Sequence, residues 1–486
     1  MSHPTSANTG ILYVDIATYS DVDAFMTGGP SAITHFVKGV QKGNLAAYVP
    51  IQLRNQGTFD FGQKNLSASV NRSGDYVLEA WFRPLIPLVS LGTLDTTLAP
   101  PAVPDIFTDA KIRWTRNLAH NLILRCSLMF NELTIEEFDS QWLDFLAQCT
   151  ISGSKMVGYR NMIGDTASYT QYVATGLPLG RGNYLNLLLP FWFSRDSGVA
   201  LPIAAVPLND VRISYDLREL RDLLVVYPGL LATGGPSGPG TGRAAVLGDV
   251  VIFQQTVPPA ITEAATFAHY AVVHNEERYR MGDAPRDILI TQEQWLQASP
   301  FKDVSTSSSF DIRISHAVIW FAWAAKNVST TGEQSNYTTL PGPDTSQARD
   351  PIKNAYLYYE NQARLVAPSD YSSLVHPFIR FDRVPEETGY HYWSYALHPV
   401  GRDSLDPSFS TNFSKLTNVS MLYEMSDAAV NAASSTAATD SSGGAILWPN
   451  SSGILVNFPQ KWQHMWYARN WNIVRVANGS LGLPTL

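Results

Sequence analysis

Hydrophobic and polar residues alternate along several stretches of the chain, a pattern typical of a β-strand with one buried and one solvated face. The clearest case is Val211–Leu217, VRISYDL, in which every second residue is apolar. The stretch Asp75–Val89 also alternates, but Pro84 and Pro87 cannot donate ladder hydrogen bonds, so they predict a sheet edge or a bend. The pattern therefore predicts a chain built mainly from β-strands.

The segment before Val211–Leu217 predicts how a first β-rich unit ends. An apolar run, Leu187–Phe193, is followed by turn-forming residues that include Arg195 and Asp196. We interpret this pair as turn chemistry, with Asp196 bonding its own downstream backbone and Gly198 supplying a positive φ. The alternative is an ion pair between subunits. Because the unit closes near the middle of the chain, a second unit must follow, and we expect the linker to begin within about ten residues of Leu217.

The second half repeats this β style. Its predicted strands are Phe267–His274, Phe310–Ala324, Asn354–Glu360, His391–Leu397, Ile454–Phe458 and Trp471–Val476. The strand Phe310–Ala324 is long, and Trp320 and Trp323 make its end apolar on both faces. Further strands are expected at Lys111–Phe130, with a break near Asn117–Asn121.

Few helices are predicted, all of them short. Thr134 and Glu137 have the spacing of a capping box, and apolar residues recur at helical spacing after them. Other candidate helices are Asp21–Met26, Leu217–Val226 after a cap at Asp216, and the turn from Asn275 to Gly282. The segments 92–108, 229–248 and 428–444 are predicted to be loops from their Gly, Pro, Ser and Ala content.

These patterns predict four regions in the 486 residues. Residues 1–44 form an N-terminal arm with a short helix, 45–222 a first β domain, 223–248 a linker or long loop, and 249–486 a second β domain. Only 16% of residues are charged and 11% are aromatic, which fits large β cores and extensive interfaces.

Charge and targeting signals exclude several classes of protein. The formal charge is −8 and no basic cluster occurs, so we expect no direct binding of nucleic acid. No apolar run is long enough to span a membrane, and the N-terminus lacks the features of a signal peptide. Cys126 and Cys149 are predicted to be free, buried thiols in a reducing compartment.

No motif predicts catalysis, and we assign no catalytic, cofactor-binding or metal-binding residue. The closest histidines, His269 and His274, would lie on opposite faces of a strand. The adjacent carboxylates Glu136-Glu137, Glu276-Glu277 and Glu386-Glu387 are interpreted as solvated turns or helix starts rather than as a glycosidase pair. Eight Asn-x-Ser/Thr sequons occur, and without a signal peptide they are interpreted as chance matches.

Several segments together resemble one family, the major capsid proteins of iridoviruses. They keep their order and cover nearly the whole chain: SGDYVLEAW at 73–81, IRWTRNLAHNLI at 112–123, KMVGYRNMIG at 155–164, FWFSRDSGVALP at 191–202, PLNDVRI at 207–213, NEERYRMG at 275–282, RDILI at 286–290, DIRISHAV at 311–318, SNYTT at 335–339, TNFSKLTNVS at 411–420 and NIVRVANGSLGLP at 472–484. The segments 92–108, 229–262 and 428–452 look unlike the family. We expect most of these insertions on the outer face of the shell.

The resemblance implies an all-β fold of two tandem eight-stranded jelly rolls, with short helices in the loops. It implies a structural role without enzymatic activity or cofactors: homotrimeric, pseudo-hexagonal capsomers that tile an icosahedral capsid around an internal membrane and a DNA genome. It also implies contacts with minor capsid proteins, assembly in the host cytoplasm, and an N-terminal region on the inner face near the membrane. The alternatives are a minor capsid or spike protein of the same virus type, or a carbohydrate-binding or carbohydrate-degrading β-sandwich protein.

Overall fold

The computed structural model describes most of the chain. The described residues are 46–91, 111–171, 184–227, 250–252, 257–283, 285–297, 307–329, 332–339, 349–400, 407–434, 438–439, 445–446, 448–449, 455–456 and 460–484. The predicted N-terminal arm with its helix at Asp21–Met26, the loop 92–108 and the segment 229–248 lie outside these residues.

The described chain is rich in strands, and its helices are short. The strands are β1 Ala46–Gln52, β2 Arg54–Gln56, β3 Leu66–Ser69, β4 Tyr76–Pro84, β5 Val89–Leu91, β6 Lys111–Trp114, β7 Ile123–Phe130, β8 Leu133–Asp139, β9 Leu187–Leu189, β10 Val211–Leu217, β11 Leu224–Tyr227, β12 Val250–Ile252, β13 Ala264–Val273, β14 Arg286–Gln297, β15 Ser307–Asp311, β16 Ala317–Asn327, β17 Ile352–Tyr359, β18 Gln362–Pro368, β19 His391–Ser394, β20 Thr411–Asn412, β21 Val419–Met425, β22 Ala438–Thr439, β23 Ala445–Ile446, β24 Trp448–Pro449, β25 Leu455–Val456, β26 Trp462–Ala477 and β27 Ser480–Gly482. The α-helices are α1 Leu118–Leu122, α2 Ser140–Thr150, α3 Gly153–Ile163, α4 Ala167–Thr170, α5 Asn275–Asp283, α6 His376–Arg380 and α7 Asp427–Ser434. None of the helices in the described part is long and apolar enough to cross a membrane.

Two antiparallel sheets form what we call the first sheet pair. One has the strand order β1-β13-β4-β9 and the other the order β2-β3-β10-β7-β8. The sheets pack face to face, because Phe82 on β4 and Tyr215 on β10 stack with their ring centroids 5.0 Å apart. Burial alternates along Val211–Leu217, which confirms the predicted strand with one buried face.

Two further antiparallel sheets form the second sheet pair. The larger has the order β14-β26-β16-β19, with β20 and β27 added, and the smaller has the order β15-β21-β17-β18. These sheets also face each other, since Tyr423 on β21 stacks on His464 of β26 at 4.5 Å.

Strand β16 is buried on both faces. Trp320, Ala322 and Ala324 belong to a hydrophobic cluster shared with the first sheet pair. The alternate residues Phe321 and Trp323 belong to the core of the second sheet pair itself. Both tryptophans are fully buried, in agreement with the apolar pattern predicted on the two faces of this strand. The larger sheet is therefore enclosed between its own partner sheet and the first sheet pair.

The predicted helix that begins at Thr134 is wrong in its first half. Residues Leu133–Asp139 form strand β8, which pairs with β7, and helix α2 starts only at Ser140. Its N-cap is Asp139, whose side chain accepts a hydrogen bond from the Trp142 backbone N–H at 2.8 Å. Pairing with β7 outweighed the local capping-box spacing.

Two further predictions about secondary structure are wrong. The stretch Phe310–Ala324 is not one strand: β15 and β16 belong to different sheets, and the chain turns between them at His316, whose φ is 66°. The stretch Leu217–Val226 is not a helix, because Leu224–Tyr227 forms strand β11 and pairs with β6. In both places, long-range pairing determined the structure.

Smaller differences concern loops. Asp196 accepts a hydrogen bond from the Gly198 backbone N–H at 2.9 Å, as predicted, but the φ of Gly198 is not positive. Part of the predicted loop 428–444 is helix α7, Asp427–Ser434. The predicted turn of helix from Asn275 is confirmed as α5.

Strand β13 lies in the first sheet pair, although the predicted second domain, 249–486, includes it. It pairs with β1 on one side and with β4 on the other. The short strand β12 likewise pairs with β5 of the first half. The chain therefore returns to the first sheet pair after the predicted linker, which the local pattern of residues 264–273 could not reveal.

Candidate functional site: the inter-pair interface

The two sheet pairs meet at an aromatic contact between helix α2 and strands β16 and β26. Trp142 on α2 stacks on Trp320 with ring centroids 5.1 Å apart, and it also contacts Tyr467 at 5.9 Å. Phe145, one turn further along α2, contacts Tyr467 at 5.2 Å. We call this contact zone, with the polar groups around it, the inter-pair interface. It gives the two sheet pairs one continuous hydrophobic core.

Asp144 on α2 is the centre of a buried polar network in this interface. Its side chain is fully buried, and one oxygen accepts from Asn117 at 2.9 Å and lies 2.7 Å from the Nδ1 atom of His120. The other oxygen accepts from Ser335 at 2.6 Å and from Tyr337 at 3.1 Å. Because residues 335 and 337 follow β16, one carboxylate joins helix α1 to the second half of the chain.

Ion pairs reinforce the same connection. Arg113 on β6 bonds Glu333, and both side chains are almost fully buried. Arg116 bonds Glu387, and Arg160 on α3 bonds Glu386 at 2.6 Å. The predicted turn at Glu386-Glu387 is confirmed, with Glu386 exposed, and both of its carboxylates pair with arginines from the first half.

Glu136 and Glu293 bring two carboxyl groups together across the interface. Glu136 on β8 is 3% exposed, and its Oε2 accepts from the Trp192 backbone N–H at 2.9 Å. Glu293 on β14 is the neighbouring carboxylate, and it accepts from Arg469 at 2.6 Å. Burial, and then the neighbouring Glu293, raise the pKa of Glu136 well above its usual value. The interpretation of Glu136 as a solvated residue is wrong, and its raised pKa keeps a proton on this carboxyl group at pH values where an exposed glutamate has lost it.

This proton makes the interface sensitive to pH, and we expect Glu136→Gln to remove that sensitivity. The folded state keeps a proton that the unfolded chain loses above about pH 4.5, so stability falls as the pH rises towards the raised pKa. A glutamine keeps the bond to the Trp192 N–H and donates to Glu293 at every pH. The thermal midpoint of the natural protein should therefore fall relative to that of Glu136→Gln as the pH rises above about 4.5.

The matched control is Glu219→Gln, which removes an exposed carboxylate outside this interface. It should leave the pH dependence unchanged. Parallel pH profiles for the natural protein and Glu136→Gln would rule out a raised pKa for Glu136.

The remaining candidate residues do not converge on a reactive site. Cys126 and Cys149 are free and buried, as predicted, and burial raises the pKa of both thiols. His269 lies beside Trp81 and bonds Glu79 at 2.9 Å. Within the described ranges, no three His, Cys, Asp or Glu side chains are grouped closely enough to hold a metal ion.

Ser372, His391 and Asp350 meet in an order that resembles a hydrolase triad. Ser372 Oγ lies 3.0 Å from His391 Nδ1, and His391 Nε2 lies 3.1 Å from Asp350. Ser372 is 1% exposed and His391 is 0% exposed, so no substrate can reach the hydroxyl. The array fastens the helical segment 371–380 to strand β19.

Comparisons with known proteins agree along the whole chain. The family model of the large eukaryotic DNA virus major capsid protein matches residues 277–482, and that of the major capsid protein N-terminus matches residues 34–244. The major capsid protein of Wiseana iridescent virus is 40% identical, over 98% of this chain and 93% of its own. The major capsid protein of Lymphocystis disease virus 1 is 37% identical, over 98% of this chain and 97% of its own.

Solved structures show the same fold. The PBCV-1 VP54 structure, fitted into a reconstruction of the virophage Sputnik, has a TM-score of 0.66 at 18% identity and covers 93% of this chain and all of its own. The Faustovirus major capsid protein has a TM-score of 0.63 at 12% identity, with 97% of each chain covered. The two sheet pairs are thus the two jelly rolls of a double jelly-roll fold, as the resemblance implied. The comparisons favour the capsid interpretation over a carbohydrate-binding or carbohydrate-degrading protein.

Proposed function

Because the chain belongs to the major capsid proteins of iridovirus-type large DNA viruses, we propose that three copies associate into a pseudo-hexagonal capsomer. Such capsomers would then tile the facets of an icosahedral shell around an internal membrane and the genome. The chain is a structural protein of the virion capsid and not an enzyme. The inter-pair interface supports this proposal, because it joins the two jelly rolls into one rigid building block.

We propose that the first jelly roll extends through β13 and that the second begins near α5. This division keeps every strand of the four-stranded sheet β1-β13-β4-β9 in one roll. The N-terminal arm 1–44, the internal membrane, the minor capsid proteins and assembly in the host cytoplasm remain parts of the proposal that come from the resemblance.

The observation that supports self-association is an exposed apolar patch on the helical segment 371–380. Leu374, Val375, Phe378 and Ile379 are 53%, 46%, 78% and 61% exposed. Such a concentration of exposed apolar side chains marks an interaction surface in a water-soluble protein. The array of Ser372 with His391 holds this segment in place, so the patch is presented on a fixed support. We assign it to the contact with a second copy in the trimer.

We expect Phe378→Asp to weaken the trimer without unfolding the chain. Each trimer would bury three such carboxylates in apolar contacts, so its dissociation constant should rise at least roughly tenfold. Mass photometry over a concentration series would measure this change, and thermal unfolding of the monomer would report its stability. The matched control is Tyr279→Asp, at an equally exposed aromatic residue on the charged helix α5.

An unchanged trimer in Phe378→Asp would remove the patch from the interface. A natural chain that stays monomeric at micromolar concentration would contradict the trimer itself.

A further inference from the structure

A polar cavity beside the inter-pair interface contains two cations that form no ion pair with a carboxylate among the described residues. The cavity has a volume of about 560 Å³ and opens to solvent. Its lining comes from both halves of the chain and includes Lys64, Arg125, Arg218, Lys326 and Gln334. Four cationic side chains line it, and Arg125 among them pairs with Glu137 at 2.7 Å. The other three face the two carboxylates of Asp139 and Asp216. The lining therefore has an excess of positive charge.

Lys326 on β16 is the most deeply buried of these cations, with 6% of the residue exposed. Its Nζ donates to the side-chain oxygen of Gln334 at 2.9 Å. With the Gln141 amide turned to suit its neighbours, the oxygen of Gln141 also lies 2.9 Å from Nζ. Both partners are neutral amides, so they satisfy hydrogen bonds without balancing the charge.

Arg218, just after β10, shares one of these partners. It donates to the same Gln334 oxygen at 3.4 Å, to the Asn121 carbonyl at 2.9 Å and to Ser140 Oγ at 2.8 Å. Within the part of the chain that the structure describes, neither Lys326 nor Arg218 forms an ion pair with a carboxylate. Two cations that share one amide oxygen repel each other and attract an anion.

Three of the nearby carboxylates are already bonded to other groups, and the fourth, Asp222, lies 3.9 Å from Arg221. Asp139 accepts from the Trp142 N–H at 2.8 Å and from the Tyr467 hydroxyl at 2.7 Å. Asp216 accepts from the Asn65 N–H at 2.8 Å. Asp144 is occupied by the network described above. These groups attract Lys326 and Arg218 only over longer distances.

We propose that this cavity binds a phosphate-type oxyanion, held by Lys326 and Arg218 between the two jelly rolls. An oxyanion placed between the two cations would accept charge-assisted hydrogen bonds from both. Gln141 and Gln463 also line the cavity. The volume exceeds that of a single phosphate, so the phosphate chain of a polyphosphate or nucleotide also fits.

The affinity of this cavity for an anion should depend on pH in a definite direction. Burial, and then the neighbouring Arg218, lower the pKa of Lys326 to about 7, against the attraction of Asp144, Asp139 and Asp222. Lys326 therefore gains its proton as the pH falls from 8 to 6, and anion binding should tighten over that range. Sulfate suits this measurement because its own charge is constant over that range.

The test is isothermal titration calorimetry of the full chain in its native assembly state, at matched ionic strength in chloride. Inorganic phosphate, tripolyphosphate and sulfate are titrated separately, which separates a single-phosphate site from one for a phosphate chain. We expect saturable binding of one anion per chain. Lys326→Met should weaken it at least roughly tenfold, because one of two charge-assisted contacts is lost.

Two further variants make the result decisive. Lys353→Met removes a half-exposed lysine that pairs with Glu424 away from the cavity, and it should bind like the natural protein. Gln334→Glu places a carboxylate between the two cations, at the loss of the bond to the Asp222 carbonyl, and should abolish anion binding.

Three results would overturn the proposal: no saturable binding of any of the three anions, equal losses in Lys326→Met and Lys353→Met, or full binding in Gln334→Glu. If Lys326→Met fails to fold, the Gln334→Glu variant still tests the proposal. None of these outcomes depends on the trimer, so the capsomer proposal is tested separately.

Discussion

Replacing Asp144 with alanine is expected to lower the free energy of unfolding by about 3–5 kcal/mol. The change removes the acceptor for Asn117, Ser335 and Tyr337, all of which lie in the buried network. It also leaves His120 without the carboxylate 2.7 Å from its Nδ1. Buried donors without a partner keep their full desolvation cost, so the loss should exceed that of an ordinary hydrogen bond.

Thermal unfolding measures this effect. For a cooperative unit of about 440 residues, 1 kcal/mol corresponds to about 1 °C, so the midpoint should fall by about 3–5 °C. The matched control is Asp210→Ala, which removes a carboxylate that is 56% exposed and pairs with Arg212. It should change the midpoint by less than about 1 °C. Equal effects of the two substitutions would mean that the Asp144 network adds nothing to stability.

Replacing Trp320 with alanine is the second change with a large expected effect, a loss of about 3–5 kcal/mol. The side chain is fully buried and stacks on Trp142 of the first jelly roll at 5.1 Å. It also packs against Phe381 at 5.6 Å and lies under the guanidinium of Arg469 at 5.8 Å. Removing the indole side chain would leave an empty space on the face of β16 that joins the two rolls. The unfolding of the two rolls should therefore become less cooperative.

Differential scanning calorimetry distinguishes a loss of cooperativity between the two rolls from a general loss of stability. We expect Trp320→Ala to broaden the transition or split it into two, because each roll keeps its own core. Trp320→Phe keeps an aromatic face towards Trp142 and should lose roughly half as much. A single sharp transition in Trp320→Ala, with an unchanged midpoint, would contradict the role of this contact in joining the rolls.

The strands that were predicted correctly are those whose own sequence alternates between apolar and polar residues. Val211–Leu217 alternates strictly because one face lies on the core and the other faces solvent. The predictions failed where pairing between strands determined the structure, whether the partner strand is the preceding one, as for β8, or a distant one, as for β11. Thr134 and Glu137 have the spacing of a helix cap, yet pairing with β7 makes them part of strand β8. The chain from Phe310 to Ala324 is apolar enough for one strand, but its two parts join different sheets.

The inter-pair interface was out of reach of local reasoning for the same reason. Glu136 resembles a solvated carboxylate in sequence, and its raised pKa depends on its burial and on Glu293, 157 positions later. Lys326 lies in an apolar strand without any motif. Its proposed role in anion binding becomes apparent only from the fold, in which it shares the Gln334 oxygen with Arg218. The resemblance to the family supplied the fold and the structural role. It carried no information about which side chains hold the two rolls together.

Strand β13 has a consequence for how the protein is made. It lies between β1 and β4, but it follows the end of β4 by 180 residues, from Pro84 to Ala264. At about 5–20 residues per second, a ribosome needs on the order of 10–40 seconds to synthesise that interval. During this time β1 and β4 lack their common neighbour, and two open strand edges are free to pair wrongly. The nascent chain therefore carries unpaired strand edges, which are open to aggregation, until β13 has been translated.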